Sequence, residues 1–93
     1  MRNQEEIPQS DSIKNEFILS FTSGNIVKFN ELFIELLAFK EFEATLTRHE
    51  IYEKQNKAVY RVKISLTALF NFQKKLKEVT HYDSFEMFEY REW

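Results

Sequence analysis

Four consecutive residues, His81-Tyr82-Asp83-Ser84, contain the side chains of a hydrolase triad. A triad needs its nucleophile, base and orienting carboxylate to converge from separate segments, and adjacent residues cannot do so. The pattern therefore does not predict a catalytic site.

The sequence also contains no residue pattern typical of a metal site or a cofactor site. His49 and His81 are the only histidines, there is no cysteine, and no histidine or cysteine spacing is typical of a zinc site. The single glycine argues against a glycine-rich phosphate loop. Acidic pairs such as Glu41 with Glu43, or Glu50 with Glu53, are typical of solvated or ion-paired surface groups. We expect no enzymatic activity, no metal and no cofactor.

The longest apolar run, residues 25–42, is the element around which the rest of the chain is expected to fold. Its apolar residues recur at helical spacing, which predicts a helix ending near Lys40 to Phe42, with Ser23 or Asn25 as its N-cap. Only Lys28, Glu31 and Glu35 form a polar stripe, so most of its circumference is expected to be buried.

Strand patterns lie on both sides of this helix. Residues 16–22 alternate strictly, and residues 43–53 and 58–66 read as a hairpin joined by 54–57. Two registers remain open for the hairpin. One places Glu50 opposite Arg61. The other places Tyr52 opposite Tyr60 and Leu46 opposite Leu66, and a bulge would reconcile the two ends.

A second amphipathic helix is predicted over residues 67–79, capped by Ser65 or Thr67. Its buried line is expected to be Leu69, Phe72, Leu76 and Val79. Residues 81–93 favour a last strand, although acidic residues recurring every three positions leave a helix open.

The resulting order, strand-helix-strand-strand-helix-strand, predicts a ferredoxin-like α+β domain, with a four-stranded antiparallel sheet and two helices on one face. Residues 1–15 are expected to be a polar tail and residues 16–93 the single domain. The helices should cover Phe17, Leu19, Phe21, Tyr60, Val62 and Ile64. The other face should carry Ile18, Ser20, Thr22, Val59, Arg61, Lys63 and Ser65.

Charge is unevenly distributed along the chain. Residues 48–79 hold eight Lys/Arg against three Glu, whereas residues 1–47 hold four Lys/Arg against eight Asp/Glu, and the net charge is −2. The start of the chain is not signal-like and no run suits a membrane, so we expect a cytoplasmic protein. The basic middle segment predicts an acidic protein partner or a nucleic acid.

RNA binding is one hypothesis, because RNA-recognition modules share this order of strands and helices. Their third strand stacks bases on aromatic side chains, yet here only Lys57 and Val62 fit that signature, and Val59 and Arg61 occupy the stacking positions. What remains is a groove that would contact phosphates. Its expected residues are Arg48, Arg61, Lys63, Lys74, Lys75 and Lys77.

Binding to a larger protein is the preferred hypothesis. Aromatic residues are favoured interface anchors, and the acidic C-terminal segment offers three of them. The expected contact residues are Arg48, Arg61, Lys63, Phe88, Tyr90 and Trp93. In size and composition alone, the chain is similar to small bacterial or phage inhibitors of larger proteins or ribonucleoproteins. A small-ligand sensor, with its ligand approaching Gly24, and a homodimer formed through the bare sheet face are further alternatives.

Overall fold

The computed structural model describes residues 13–90 as four strands and two helices. Two single-turn 3-10 helices, Lys40–Phe42 and Glu53–Gln55, lie on either side of the second strand. In chain order the elements are β1 (Lys14–Thr22), α1 (Ile26–Leu37), β2 (Thr45–Tyr52), β3 (Lys57–Ser65), α2 (Leu66–Val79) and β4 (Ser84–Tyr90). The predicted α+β class is confirmed.

The strands form one antiparallel sheet in the order β2-β3-β1-β4. β1 is central and begins at Lys14, two residues earlier than predicted, so Lys14 and Asn15 belong to the sheet and not to a tail. Residues 1–12, the rest of the predicted tail, lie outside the described residues. Among residues 13–90, neither helix has the length and apolar content that crossing a bilayer requires.

One face of the sheet is buried beneath both helices, as alternation along β1 and β3 predicted. Phe33 of α1 stacks on Tyr60 of β3 with ring centroids 3.7 Å apart, and Phe72 of α2 packs edge-on against Phe33 at 5.0 Å. The Tyr60 hydroxyl donates to Asn30 Oδ1 at 2.9 Å, which satisfies the polar group of an otherwise apolar layer. All six residues predicted for this face are buried.

Helix α1 begins and ends for local reasons. The Asn25 side chain accepts a hydrogen bond from Lys28 N, so Asn25 and not Ser23 is the N-cap. The predicted end near Lys40 to Phe42 is wrong, because the backbone becomes extended at Phe39 after the helix stops at Leu37. A 3-10 turn then returns Phe42 to the core.

Both registers considered for the β2–β3 hairpin are wrong. A bulge does interrupt β2, between Leu46 and Arg48, and it shifts the pairing so that the later part of the strand follows a different register. The observed partners are Leu46 with Val62, Glu50 with Val59 and Tyr52 with Lys57.

Helix α2 starts one residue before its predicted boundary. Ser65 accepts from Ala68 N and is the N-cap, so Leu66 belongs to the helix and not to the preceding strand. Val79 is 50% exposed and does not join the buried line of Leu69, Phe72 and Leu76. The last segment is a strand, as favoured, from Ser84 to Tyr90.

Candidate binding surface on the open sheet face

The sheet surface turned away from the helices has no helix of residues 13–90 packed on it. We call it the open face. The register assigns its side chains, which alternate with the buried ones along each strand. They are Lys14, Glu16, Ile18, Ser20 and Thr22 of β1, Thr45, Arg48, Glu50 and Tyr52 of β2, Lys57, Val59, Arg61, Lys63 and Ser65 of β3, and Ser84, Glu86, Phe88 and Tyr90 of β4.

Five of the six residues predicted to contact a protein lie together on the open face. They are Arg48, Arg61, Lys63, Phe88 and Tyr90. The sixth, Trp93, lies outside the described residues. Phe88 is 56% exposed although it is a phenylalanine in the middle of a strand, directly opposite Ile18. An apolar side chain this accessible on a largely polar surface is typical of an interface anchor.

Arg61 is a cation of the open face that contacts both a carboxylate and an aromatic ring. Its Nε lies 3.3 Å from Glu16 Oε2, and its guanidinium carbon lies 4.3 Å from the centre of the Tyr90 ring. The Thr47 hydroxyl lies 3.1 Å from the same Glu16 oxygen and 2.9 Å from the Arg61 carbonyl oxygen, and either oxygen can accept its proton. Contacts with a carboxylate and an aromatic ring hold the guanidinium against the sheet, so it presents a fixed edge to a partner.

Arg48 stands directly opposite Arg61 across the β2–β3 pair. Such like-charge pairs are unfavourable unless each charge has its own partner. Arg48 Nη2 lies 3.2 Å from Glu50 Oε2, and the Tyr52 hydroxyl donates to Glu50 Oε1 at 2.7 Å. The Tyr52 hydrogen bond and then the Arg48 charge lower the pKa of Glu50, while the same hydrogen bond raises the pKa of Tyr52.

A shallow depression of about 250 Å³ lies on the open face between side chains of β1, β2 and β3. Ile18 and Val59 contribute its apolar lining, and Arg48, Glu50 and Arg61 contribute its polar rim. The depression therefore suits a partner side chain with an apolar body and a polar end.

The predicted phosphate groove is not assembled. Lys74, Lys75 and Lys77 lie on α2, which packs on the buried face of the sheet through Leu69, Phe72 and Leu76. Arg48, Arg61 and Lys63 lie on the opposite surface. The prediction of one groove rested on the adjacency of these residues in the sequence. In the fold, the strand and helix parts of residues 48–79 lie on two sides of the sheet.

The four-residue pattern that resembles a triad does not form one. His81 Nε2 lies 3.5 Å from Asp83 Oδ1, and both side chains are exposed. The Ser84 hydroxyl instead pairs with the Thr22 hydroxyl at 2.8 Å. Among residues 13–90, no three histidine, cysteine or acidic side chains are grouped so that they could hold a metal ion.

The turn at Gly24 joins the two connections at one end of the sheet. The buried Ser23 hydroxyl donates to the His81 carbonyl oxygen at 3.0 Å, which ties the β1–α1 turn to the segment before β4. A Cβ added at Gly24 would meet nothing within 4 Å, and its backbone does not have a positive φ. The fold itself therefore does not require glycine at this position.

Sequence reasoning missed Glu16, Glu50 and Tyr52 as parts of the surface. Period-two alternation already placed Glu16 on the side opposite Phe17, which is the signal that could have found it. Its contact with Arg61 depends on the β1–β3 register, and the contacts that join Tyr52, Glu50 and Arg48 depend on the bulge in β2.

The protein matches no protein-family model, and no curated protein matches it.

Proposed function

We propose that this chain is a non-enzymatic binding protein that docks its open face on a larger protein and thereby modulates or inhibits it. The observation that carries the proposal is that Arg48, Arg61, Lys63, Phe88 and Tyr90 all lie on one sheet surface that no described helix covers, with Phe88 exposed near its β4 edge. Exposed aromatic side chains and arginines that share one surface are the composition favoured at interface hot spots.

We also propose that the topology is ferredoxin-like. The support is the order β2-β3-β1-β4 with every neighbour antiparallel, together with helices that both bury their apolar faces on the same side of the sheet. In such a layout two helices serve the core and the whole opposite surface is free to bind.

An acidic protein surface is the partner chemistry that we favour. The open face carries five Lys/Arg side chains, counting Lys14, and three Glu, so it has an excess of positive charge. Glu16 and Glu50 form ion pairs with the two arginines, and an incoming carboxylate can accept hydrogen bonds from the remaining N–H groups of either guanidinium.

RNA is the alternative partner, and one observation favours it. Phe88 and Tyr90 present aromatic rings beside Arg61 on an open four-stranded face, where bases could stack. Against it, the central strands carry Ile18, Val59 and Arg61 where a typical module has aromatic side chains.

The test is a pull-down with the tagged chain from its source cells, with and without nuclease, using charge-matched variants. Arg48→Glu with Lys63→Glu alters the open face, and Lys74→Glu with Lys77→Glu makes the same charge change on α2. We expect one large protein to be retained after nuclease, lost with the sheet variant and kept with the helix variant. The purified partner's activity should then fall when the chain is added.

Two other results would contradict this proposal. Recovery of RNA, with accompanying proteins lost on nuclease treatment, would favour the nucleic-acid alternative. Equal loss of the partner with both double variants would show that binding follows overall charge and not the open face.

A further inference from the structure

The two edges of the sheet differ in how well they are protected against another strand. β2 carries a bulge at Thr47, followed by Arg48, His49 and Glu50, and a bulge with charges is a common device against edge pairing. β4 has no such interruption. Its seven residues, Ser84 to Tyr90, pair with β1 in an unbroken register, and within residues 13–90 no strand pairs with its outer side.

We propose that β4 pairs antiparallel with β4 of a second copy of this chain, giving a two-fold symmetric dimer with a continuous eight-stranded sheet. An antiparallel edge contact between identical strands is isologous, so both copies use the same surface and the assembly closes at two. The inference goes beyond the proposed function and does not depend on it.

The sequence of β4 limits how two copies can align. In an antiparallel ladder, residues directly opposite each other lie on the same face of the sheet. The two-fold axis must therefore lie between the two copies of one residue, which face each other, and not between two different residues. An axis at Glu86 or at Glu89 would place the two copies of that glutamate directly opposite each other, and like charges at opposite positions are destabilising. The central positions that remain are Met87 and Phe88.

We place the axis at Met87, because that alignment pairs all seven described residues of β4, Ser84 to Tyr90, with one another. Each Glu86 then faces Phe88 of the other copy, and each Glu89 faces Phe85. No acid opposes an acid directly. The two Phe88 rings become diagonal neighbours on the open face, at a separation of about 7–8 Å that aromatic side chains can bridge.

The exposed apolar side chains of β4 give this pairing its favourable energy. Phe88 is 56% exposed and Met87 is 36% exposed, and pairing would cover part of both. The contact is nevertheless smaller than the roughly 800 Å² per partner of a standard interface, so the dimer should dissociate on dilution. The symmetry axis stands perpendicular to the sheet, which leaves both open faces on the same side.

The first test is sedimentation of the full chain from about 1 to about 300 μM, a span that covers weak, low-area interfaces. The wild type should shift from monomer to dimer over this range. Phe88→Glu places an acid opposite Glu86 of the other copy and should weaken association at least tenfold. Phe70→Glu is the matched control, because Phe70 of α2 is 53% exposed and lies off the sheet; it should dimerise like the wild type.

The second test exploits the absence of cysteine from the chain. Single-cysteine variants Met87→Cys, Phe88→Cys and Phe70→Cys are oxidised at equal concentration, and the disulfide-linked dimer is measured over time. We expect Met87→Cys to cross-link fastest, since a disulfide needs the two Cβ atoms about 3.8 Å apart. Faster reaction at Phe88→Cys would keep the β4 dimer and move its axis by one residue.

The proposal is overturned if the wild type stays monomeric at every concentration, because β4 would then be covered by the chain's own segments or reserved for another partner. It is equally overturned if Phe88→Glu and Phe70→Glu associate alike, or if all three cysteine variants cross-link at the same rate. None of these measurements involves the partner protein of the proposed function.

Discussion

At the scale of single residues, Tyr60 is the most informative position in the core. Its ring is fully buried against Phe33, and its hydroxyl donates to Asn30 Oδ1. Burial raises the pKa of Tyr60, because the phenolate would lose its hydration without gaining a cation. The same residue therefore stabilises the fold at neutral pH and makes it sensitive to alkali.

Replacing Tyr60 with Phe tests both effects. At pH 7 we expect the free energy of unfolding to fall by about 0.5–1.5 kcal/mol, since Asn30 loses a hydrogen-bond donor. Above pH 10.0, the ordinary pKa of tyrosine, the unfolded wild type releases a proton that the folded state keeps, so wild-type stability declines. The Tyr60 share of this decline should reach about 1.4 kcal/mol by pH 11, and only this share should be absent in the variant.

Urea unfolding of both proteins at pH 7 and pH 11 measures the difference. Tyr82, whose pKa burial also raises, is present in both and its effect cancels. A stability gap that stays constant between the two pH values would contradict the assigned role of Tyr60.

At the scale of elements, each long helix is started by a side chain that the sequence had offered as one of two alternatives. Asn25 caps α1 and Ser65 caps α2, each accepting a backbone hydrogen bond at 3.2 Å. Asn25→Ala and Ser65→Ala should each lower the free energy of unfolding by about 1 kcal/mol. Thr67→Ala, at the position not used as a cap, should be neutral or slightly stabilising because alanine favours helix.

Thermal or urea unfolding of the three variants checks this assignment. If Thr67→Ala were as destabilising as Ser65→Ala, the cap of α2 would be shared and the observed boundary would be wrong. Ser23 is not the N-cap of α1. Its hydroxyl donates to the His81 carbonyl oxygen and so joins the β1–α1 turn to the segment before β4.

The elements also show where sequence reasoning stops. Strict alternation along β1 and β3 fixes their two faces, because a one-residue slip would expose the whole apolar set. β2 lacks this constraint: Leu46 lies on the buried side before the bulge and Ile51 after it, an odd number of residues apart. Thr47 absorbs the difference, and a local pattern cannot tell which residue will be the extra one.

The binding surface, like the sheet, could be predicted from the sequence only where the strands are regular. Residues on regular strands, such as Arg61 and Phe88, could be assigned to the open face by counting. Contacts that join strands, such as Arg61 with Glu16, required the register. The separation of Lys74 from Arg61 required the packing of α2, which depends on the shape of the whole core.

At the scale of the whole molecule, the sheet is anchored unevenly. β1 and β3 lie at its centre and their inward side chains are buried beneath the helices. On β4, the inward side chains Phe85 and Met87 are only partly covered. A strand held mainly by one ladder and little apolar burial belongs to the less stable end of a fold.

Native-state hydrogen exchange in dilute protein tests this unevenness. We expect the β4 amides that bond to β1 to exchange at least tenfold faster than the β3 amides that bond to β1, because β4 can detach while the two-helix core stays folded. Raising the protein concentration should then slow exchange in β4 selectively, since pairing with a second copy would stabilise that strand and leave β3 unchanged. If β4 were already as protected as β3 in dilute protein, it would be an integral part of one cooperative unit, and pairing would not be needed to stabilise its free edge.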